Sequence, residues 1–287
     1  MPRTPSDPPT WHDPPGHDSI TLKLKLITPM FGGGYEPREV DEVLPIRPAA
    51  IRGHLRFWWR ATAGAQYASA ANLFNAEKVL WGSMDEPGKV RIQVREWTTP
   101  QIDATDPRMG QPDAYALWPA RATPGNPPLA TAQRAKAGMS FTLILSYPAS
   151  IADAVSGAVN AWLCLGGLGA RTRRGCGSLS TDGAPPPDIG RLNCSHGRSD
   201  CVTVLSGARY VLGPTVQDPV AAWQQSVRVY AAFRQMRYPG HPPMPGRSKW
   251  PEPDSIRRIE RRSHYAHQPR HPVQRGFPRA ELGLPIV

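Results

Sequence analysis

The chain has 287 residues and carries 34 lysines and arginines against 23 aspartates and glutamates, a formal net charge of +11. Its length leaves room for one large domain or two small ones, and a basic balance of this size points to a polyanionic partner, nucleic acid before an anionic surface. No apolar run of about eighteen residues exists to cross a membrane as a helix.

The first stretch, residues 1–18, is proline-rich, lacks the apolar centre of a signal peptide and reads as a disordered leader. From Ile20 to Thr28, ITLKLKLIT alternates apolar residues with Thr21, Lys23 and Lys25, the period of a strand with one polar face. Pro29 stops it. The long loop MFGGGYEPREVDEVLPIRP follows, with Phe31, Gly32 and Gly33 as candidate ligand contacts. A helix is predicted to begin near Pro48. Ile51, Leu55, Trp58 and Thr62 make its apolar face, and Arg52, Arg56 and Arg60 recur beside it at i, i+4 and i+8. Like charges at that spacing repel by roughly a few tenths of a kcal/mol per pair. Three arginines with no acid on the same helix therefore point to an external anion such as phosphate, since a solvated face normally mixes signs. His54 lies next to this row.

A second helix is expected in ANLFNAEKVLWGS (71–83), ended by Gly82. KVRIQVREW (89–97) and SFTLILSY (140–147) read as strands, and residues 98–137, rich in Pro, Ala, Thr and Gly, as an insertion between them. IADAVSGAVNAWLCL (151–165) has helical spacing, and GSLST and CVTVL supply strand material after it. Leu73, Leu80, Trp81, Leu143, Leu145, Trp162 and Leu163 occupy apolar phases and are expected in the core. The order β–α–β–β–α–β is the ferredoxin-like, or RRM-like, α+β plan: an antiparallel sheet with two helices on one face. This domain is expected to span 19–206. Residues 207–287 form a second, partial region with a helix over 217–238, the loop GRSKWPEPDSIRR and a terminal strand-like FPRAELGLPIV.

Between the second helix and the last strand lies LGGLGARTRRGCGS (165–178). Glycine lets a backbone take positive φ and approach a ligand closely, and arginine offers a fixed fork of donors suited to phosphate. The glycines at 167, 169, 175 and 177 are expected to aim main-chain N–H groups at an RNA backbone. Arg171, Arg173 and Arg174 supply charge, and the loop and the arginine helix are expected to face each other across a groove. A solvated basic turn is the plainer alternative.

Cys164, Cys176, Cys194 and Cys201 are too few and too clustered for a disulfide framework, so a reduced, cytoplasmic protein is expected. Cys194, His196 and Cys201, with Cys176 upstream, could hold zinc, but lack paired C-x2-C knuckles. His264, His267 and His271 fall at near-helical spacing interrupted by Pro269 and read as surface histidines. Asp41, Glu42, Asp85 and Glu86 show no metal-binding spacing, and nothing in the sequence requires a cofactor.

TPMFGGG, IRGHLRFWWRA, LFNAEKVLWGS and GLGARTRRGCGS, in this order, resemble the RAMP superfamily of CRISPR-associated proteins. Within it, RGHLRFWWR, GRSKWPE and FPRAELGLPI are similar to the first Cmr subunits of type III-B effector complexes. The resemblance implies two ferredoxin-like domains side by side, the second incomplete here. It also implies a non-catalytic antiviral-defence subunit holding the 3′ part of the CRISPR RNA and the paired target RNA, with other RAMP subunits as partners. Arg52, His54, Arg56, Arg60, Phe31, Gly32, Gly33, Gly169, Arg171, Arg173, Arg174, Gly175, Arg247, Lys249 and Trp250 would then be the RNA-binding residues, with Phe31, Tyr35 and Trp250 as stacking or wedging aromatics or else as core. Two other readings stay open. One is a RAMP-type endoribonuclease processing CRISPR RNA with His54 as general base. The other is a protein-binding structural adaptor.

Overall fold

The computed structural model describes residues 15–32, 35–108, 110–184, 186–192, 204–241, 246–261 and 268–272. Strand β1 (His17–Leu26) turns Leu24 and Leu26 into the core and leaves Lys23 and Lys25 exposed, as its alternation requires. Strand β2 (Met30–Phe31) follows directly. Helix α1 (Pro48–Ala61) opens with proline in its first turn, where a missing N–H costs nothing. Its buried residues are Ile51, Leu55, Trp59 and Ala61, so the core face includes Trp59, and Trp58 stays half-buried. Helix α2 (Ala70–Trp81) is capped by Ser69, whose Oγ accepts from the Asn72 N–H at 3.2 Å. The order continues with β3 (Arg91–Arg95), β4 (Ile102–Asp103), α3 (Ala114–Leu117), β5 (Arg134–Ala135), β6 (Ser140–Pro148), α4 (Ala152–Leu165), β7 (Leu179–Asp182), α5 (Pro219–Arg234) and α6 (Glu252–Glu260).

The chain divides into two compact units. The first comprises Met1–Thr105 and Ala132–Thr215. In it β3, β6, β1 and β7 form an antiparallel sheet in that order, with β1 and β6 central and Leu22 opposite Leu143. Helices α1 and α4 pack together, and their Ile51, Leu55, Trp59, Val155, Val159 and Trp162 share one core with Leu24, Leu26, Phe141, Leu143 and Leu145 of the sheet. Leu73, Leu80, Trp81, Leu143, Leu145 and Trp162 are buried as expected, whereas Leu163, on the flank of α4, is only half-buried. A second small sheet, β2–β5–β4, is a departure from the sequence reading: its two-residue strands are too short to show a period. The buried Arg134 braces it by pairing with Asp103 at 2.7 Å.

The second unit comprises Asp106–Thr131 and Val216–Val287, so most of the stretch expected as an insertion in the first domain groups with the C-terminal residues. Asp218 caps α5 by accepting from the Val220 and Ala221 N–H groups. Tyr230 of α5 meets Tyr115 edge-on at 6.0 Å. The phrase GRSKWPEPDSIRR, expected as a loop, contains the first seven residues of α6. Its prolines sit at the cap and in the first turn, where they are tolerated, and Glu252 and Asp254 complement the positive end of the helix. The strand expected in CVTVL lies mostly outside the described residues, and Val204 and Leu205 are not in one. The leader up to residue 14 and FPRAELGLPIV lie outside them entirely.

Leu143 is fully buried on a central strand. Leu143→Ala is expected to lower unfolding free energy by about 2–5 kcal/mol in chemical denaturation, and a loss well under this range would contradict the assigned core.

Candidate nucleic-acid interface

The glycine–arginine loop is built by closing the end of α4 back onto the segment between β1 and β2. At its start, Trp162 Nε1 donates to the Gly167 carbonyl at 3.0 Å. A Cβ on Gly166 would stand 2.5 Å from Trp58 Nε1, so α1 and the loop meet at this point. The Leu168 N–H donates to Gly177 O at 2.8 Å and joins the two arms of the loop. Ala170 N–H donates to Phe31 O at 3.0 Å and Gly177 N–H to Pro29 O at 2.8 Å. Thr28 Oγ1 donates to Gly175 O at 2.6 Å and accepts from the Ser178 N–H at 2.8 Å.

These contacts explain the glycines. A Cβ on Gly169 would fall 2.1 Å from Phe31 O, and one on Gly177 would fall 1.9 Å from Leu168 O. Both residues also have positive φ. The N–H groups of Leu168, Ala170, Arg174, Gly175, Cys176 and Gly177 all donate to acceptors inside the protein. This corrects the expectation for Gly175 and Gly177, whose amides donate inside the fold, and the close approaches give Gly169 and Gly177 a role in the fold itself.

What the loop offers outward is guanidinium. A single 3-10 turn, Thr172–Arg174, stands between Arg171 and Gly175, both left-handed at φ 64° and 71°. Holding a non-glycine residue there costs roughly 1–2 kcal/mol, which the surrounding hydrogen bonds offset. Arg173 is exposed and forms no ion pair among the described residues. Arg174 and Arg171 are half-buried. Burial lowers the Arg171 pKa, Cys176 opposes that shift and Arg174 adds to it.

The arginine row on α1 behaves differently from expectation. Arg56 Nε and both Nε and Nη2 of Arg60 bond the carboxylate of Glu77, the Arg60 Nη2 contact being 2.7 Å. Glu77 lies on α2 and is 3% exposed. Its burial works to raise its pKa, but the hydrogen bonds from Arg60 and Arg56 prevail and hold it below the usual carboxylate range. The Arg60 pKa is raised by the bond to Glu77. Two of the three arginines are thus partners of an internal acid, which the single-signed helix did not show, and Trp58 of the same helix meets the loop at Gly166. Arg52 is half-buried, with an Nε that is buried and lacks a hydrogen-bond partner among the described residues. His54 is half-buried and burial lowers its pKa, which keeps the ring neutral near pH 7.

Phe31 is 6% exposed and belongs to the packed interior, the core alternative of its two readings, and not to an RNA-facing surface. Gly32 has positive φ and open space around it. Tyr35 is 90% exposed. Gly33 and the proposed zinc ligands Cys194, His196 and Cys201 lie outside the described residues, as do His264 and His267. His271 is half-buried, with Nε2 at 3.2 Å from Ser248 O, and not a free surface residue. The Asp41 carboxylate accepts from the Val43 and Leu44 N–H groups and pairs with Arg47.

Arg247, Lys249 and Trp250 belong to the second unit. Arg247 pairs with the buried Asp254 at 3.1 Å. Lys249 Nζ stands 5.5 Å from the Tyr238 ring centre. Trp250 Nε1 donates to Phe233 O at 3.1 Å, and its ring meets that of Phe233 edge-on. The sequence reading missed Glu77, Thr28 and Asp254, each of which acts on residues distant in the chain.

The sequence profile of the RAMP superfamily matches residues 23–180, more than half of the chain, and the chain belongs to this superfamily. No curated protein matches it by sequence. Among solved structures it is similar to apo Cmr1 from Pyrococcus furiosus, at 21% identity over 60% of this chain and 51% of that one, with a TM-score of 0.42. It is similar to a chain of the Type III-B Cmr-beta bound to cognate target RNA at 15% identity, over 59% of this chain and 55% of that one, with a TM-score of 0.40. It is also similar to Cmr6 from Pyrococcus furiosus at 11% identity, over 58% of this chain and 99% of that one, with a TM-score of 0.31. The chain spans about half the length of the first two.

Glu77→Gln is expected to destabilise the protein by about 2–3 kcal/mol in chemical denaturation. That is below the roughly 3–5 kcal/mol of a fully buried pair, because Arg56 and Arg60 stay partly exposed. An unchanged midpoint would show that this pairing contributes nothing. Gly177→Ala places a methyl on a carbonyl oxygen and is expected to cost at least about 2 kcal/mol by the same measurement.

Proposed function

We propose that this chain is a non-catalytic RNA-binding subunit of a type III-B CRISPR effector complex, with CRISPR RNA, target RNA and other RAMP subunits as its partners. The observation that carries this reading is the 171–175 turn, in which three arginines stand on a backbone fixed by Thr28, Phe31 and the arms of its own loop. A rigid, positively charged projection contacts phosphates without reading bases, and a subunit that accepts any guide needs that property. RAMP membership and the phrases RGHLRFWWR and GRSKWPE support the assignment to such a complex. The reading takes the first unit as one ferredoxin-like domain and the second as a partial one, places the 3′ region of the CRISPR RNA or its paired target on the protein, and locates the protein in the cytoplasm. This reading gives His54 no role in cleavage.

The test is filter binding of labelled single-stranded RNA across a salt series. Replacing Arg171, Arg173 and Arg174 with alanine is expected to weaken binding alike for unrelated sequences. It should lower the slope of log affinity against log salt by up to roughly two units, at about 0.7 per phosphate neutralised. Intact binding with an unchanged slope would reduce the loop to a basic turn. Cleavage abolished by His54→Ala would favour the ribonuclease, and absence of RNA binding the protein adaptor.

A further inference from the structure

The second unit holds a cavity of about 250 Å³ lined by Arg237, Gly246, Arg247, Ser248, Trp250, Pro253, Asp254 and Arg257. Asp254 is the only lining carboxylate among the described residues, and it is saturated. Its Oδ1 accepts from Arg247 Nη2 at 3.1 Å and Arg257 Nη1 at 2.8 Å, and its Oδ2 from the main-chain N–H groups of Arg270 and His271, both at 2.9 Å. Burial works to raise the Asp254 pKa, but these donors win and hold it at about 2, so the group is an anion at any physiological pH. A carboxylate offers about four acceptor positions, and here each is filled.

One negative charge thus faces three arginines. Arg247 and Arg257 share it, and Arg237 forms no ion pair among the described residues. Each guanidinium has five N–H donors, so neither Arg247 nor Arg257 is exhausted by Asp254. Among the described residues the cavity wall carries a net charge of two, with Arg247 and Arg257 held on Asp254 before anything binds and Arg237 exposed beside them. Arg237 and Ser248 are bridged across an antiparallel pair, with Tyr238 N–H on Arg247 O at 2.7 Å and Lys249 N–H on Met236 O at 2.9 Å. Trp250 is held by its Nε1 bond and its edge contact with Phe233, which gives the cavity one preset aromatic wall.

We infer that this cavity is a site for a nucleotide phosphomonoester, with the phosphate on Arg237, Arg247 and Arg257 and the base against Trp250. A phosphomonoester carries about −1.5 to −2 charge near pH 7, which matches the wall, whereas an internal phosphodiester carries one unit. The volume, about eight waters at ~30 Å³ each, admits one nucleotide and not a run of them. Stacking on an indole is tolerant of base identity, so the site reads the phosphate and not the sequence. The inference goes beyond the proposed RNA contact on the first unit and does not rest on it.

The test is calorimetry on the full chain with adenosine 5′-monophosphate, adenosine and a phosphoserine peptide. It is paired with binding of short RNAs ending in phosphate or hydroxyl at either end. The monophosphate is expected to bind at least tenfold tighter than adenosine, and Arg237→Gln to weaken it by about tenfold. Arg237 is exposed and outside the Asp254 cluster, so this variant is expected to melt as the parent does. Arg257→Gln, a second variant at a cavity arginine bonded to Asp254, is expected to weaken monophosphate binding as well, and replacing Arg171, Arg173 and Arg174 is expected to leave it unchanged. A preference for phosphate-ended RNA identifies a strand end as the source, and monophosphate binding without that preference identifies a free nucleotide. Equal binding of adenosine and its monophosphate overturns the inference, as does an unaffected Arg237→Gln variant or equal binding of the phosphopeptide.

Discussion

The Phe31 carbonyl lies so close to Gly169 that no Cβ fits between them, and much of the first unit's geometry depends on that approach. Because Gly169 has no side chain, the Ala170 N–H reaches Phe31 O, and the small sheet β2–β5–β4 is continued by the loop that follows α4. Gly177 makes the second such approach, against Leu168 O, and closes the arms of the loop. Thr28 ties the result to the end of β1 through one donated and one accepted hydrogen bond. The arginines between these ties project from a backbone that is already ordered. Binding an anion there spares the backbone ordering that a free loop would have to undergo.

A second pattern recurs in both units. Glu77 is shared by Arg56 and Arg60, and Asp254 by Arg247 and Arg257. In each case one carboxylate, almost wholly buried, neutralises one unit of charge and holds two guanidinium groups. Burying the acid alone would cost several kcal/mol. The pKa of each falls below the ordinary range instead of rising, for Glu77 through the hydrogen bonds from Arg60 and Arg56, and for Asp254 first through the main-chain N–H groups of His271 and Arg270 and then through Arg247 and Arg257. At the α1 row and at the Asp254 cavity alike, one carboxylate stands against three arginines among the described residues, so part of the formal +11 is taken up inside the fold in each place.

The longer elements were legible in the sequence for a plain reason. Strands β1, β3 and β6 and helices α1, α2 and α4 each run long enough for their apolar period to repeat, and each bears a core face. Strands β2, β4 and β5 span two residues apiece and have no period to detect. The glycine loop was legible as a special segment but not in its purpose. Positive φ is written in the residue type, whereas the carbonyl that occupies the missing Cβ comes from Phe31, far off in the chain. The Arg56 and Arg60 row was misassigned for the same reason: a search for acids along α1 cannot see Glu77, which stands on α2. Helix α6 was hidden by its two prolines, which read as breakers until their place at the start of the helix is known.

Both patterns turn on arginine rather than on positive charge in general. An ammonium on a buried carboxylate concentrates its three donors at one point and becomes a local partner of that acid. A guanidinium can place one edge on the acid and keep N–H groups on another edge for a second acceptor. In Arg247 a single nitrogen, Nη2, donates to both the Gln268 carbonyl and Asp254, which leaves Nε and Nη1 outside these bonds. Arg60 uses two nitrogens on Glu77 and leaves the remaining terminal nitrogen outside that pairing. A framework arginine can therefore also be a recognition arginine, at a single position and without rearrangement. In this fold the same guanidinium groups hold the packed structure and keep N–H groups outside the acid pairing.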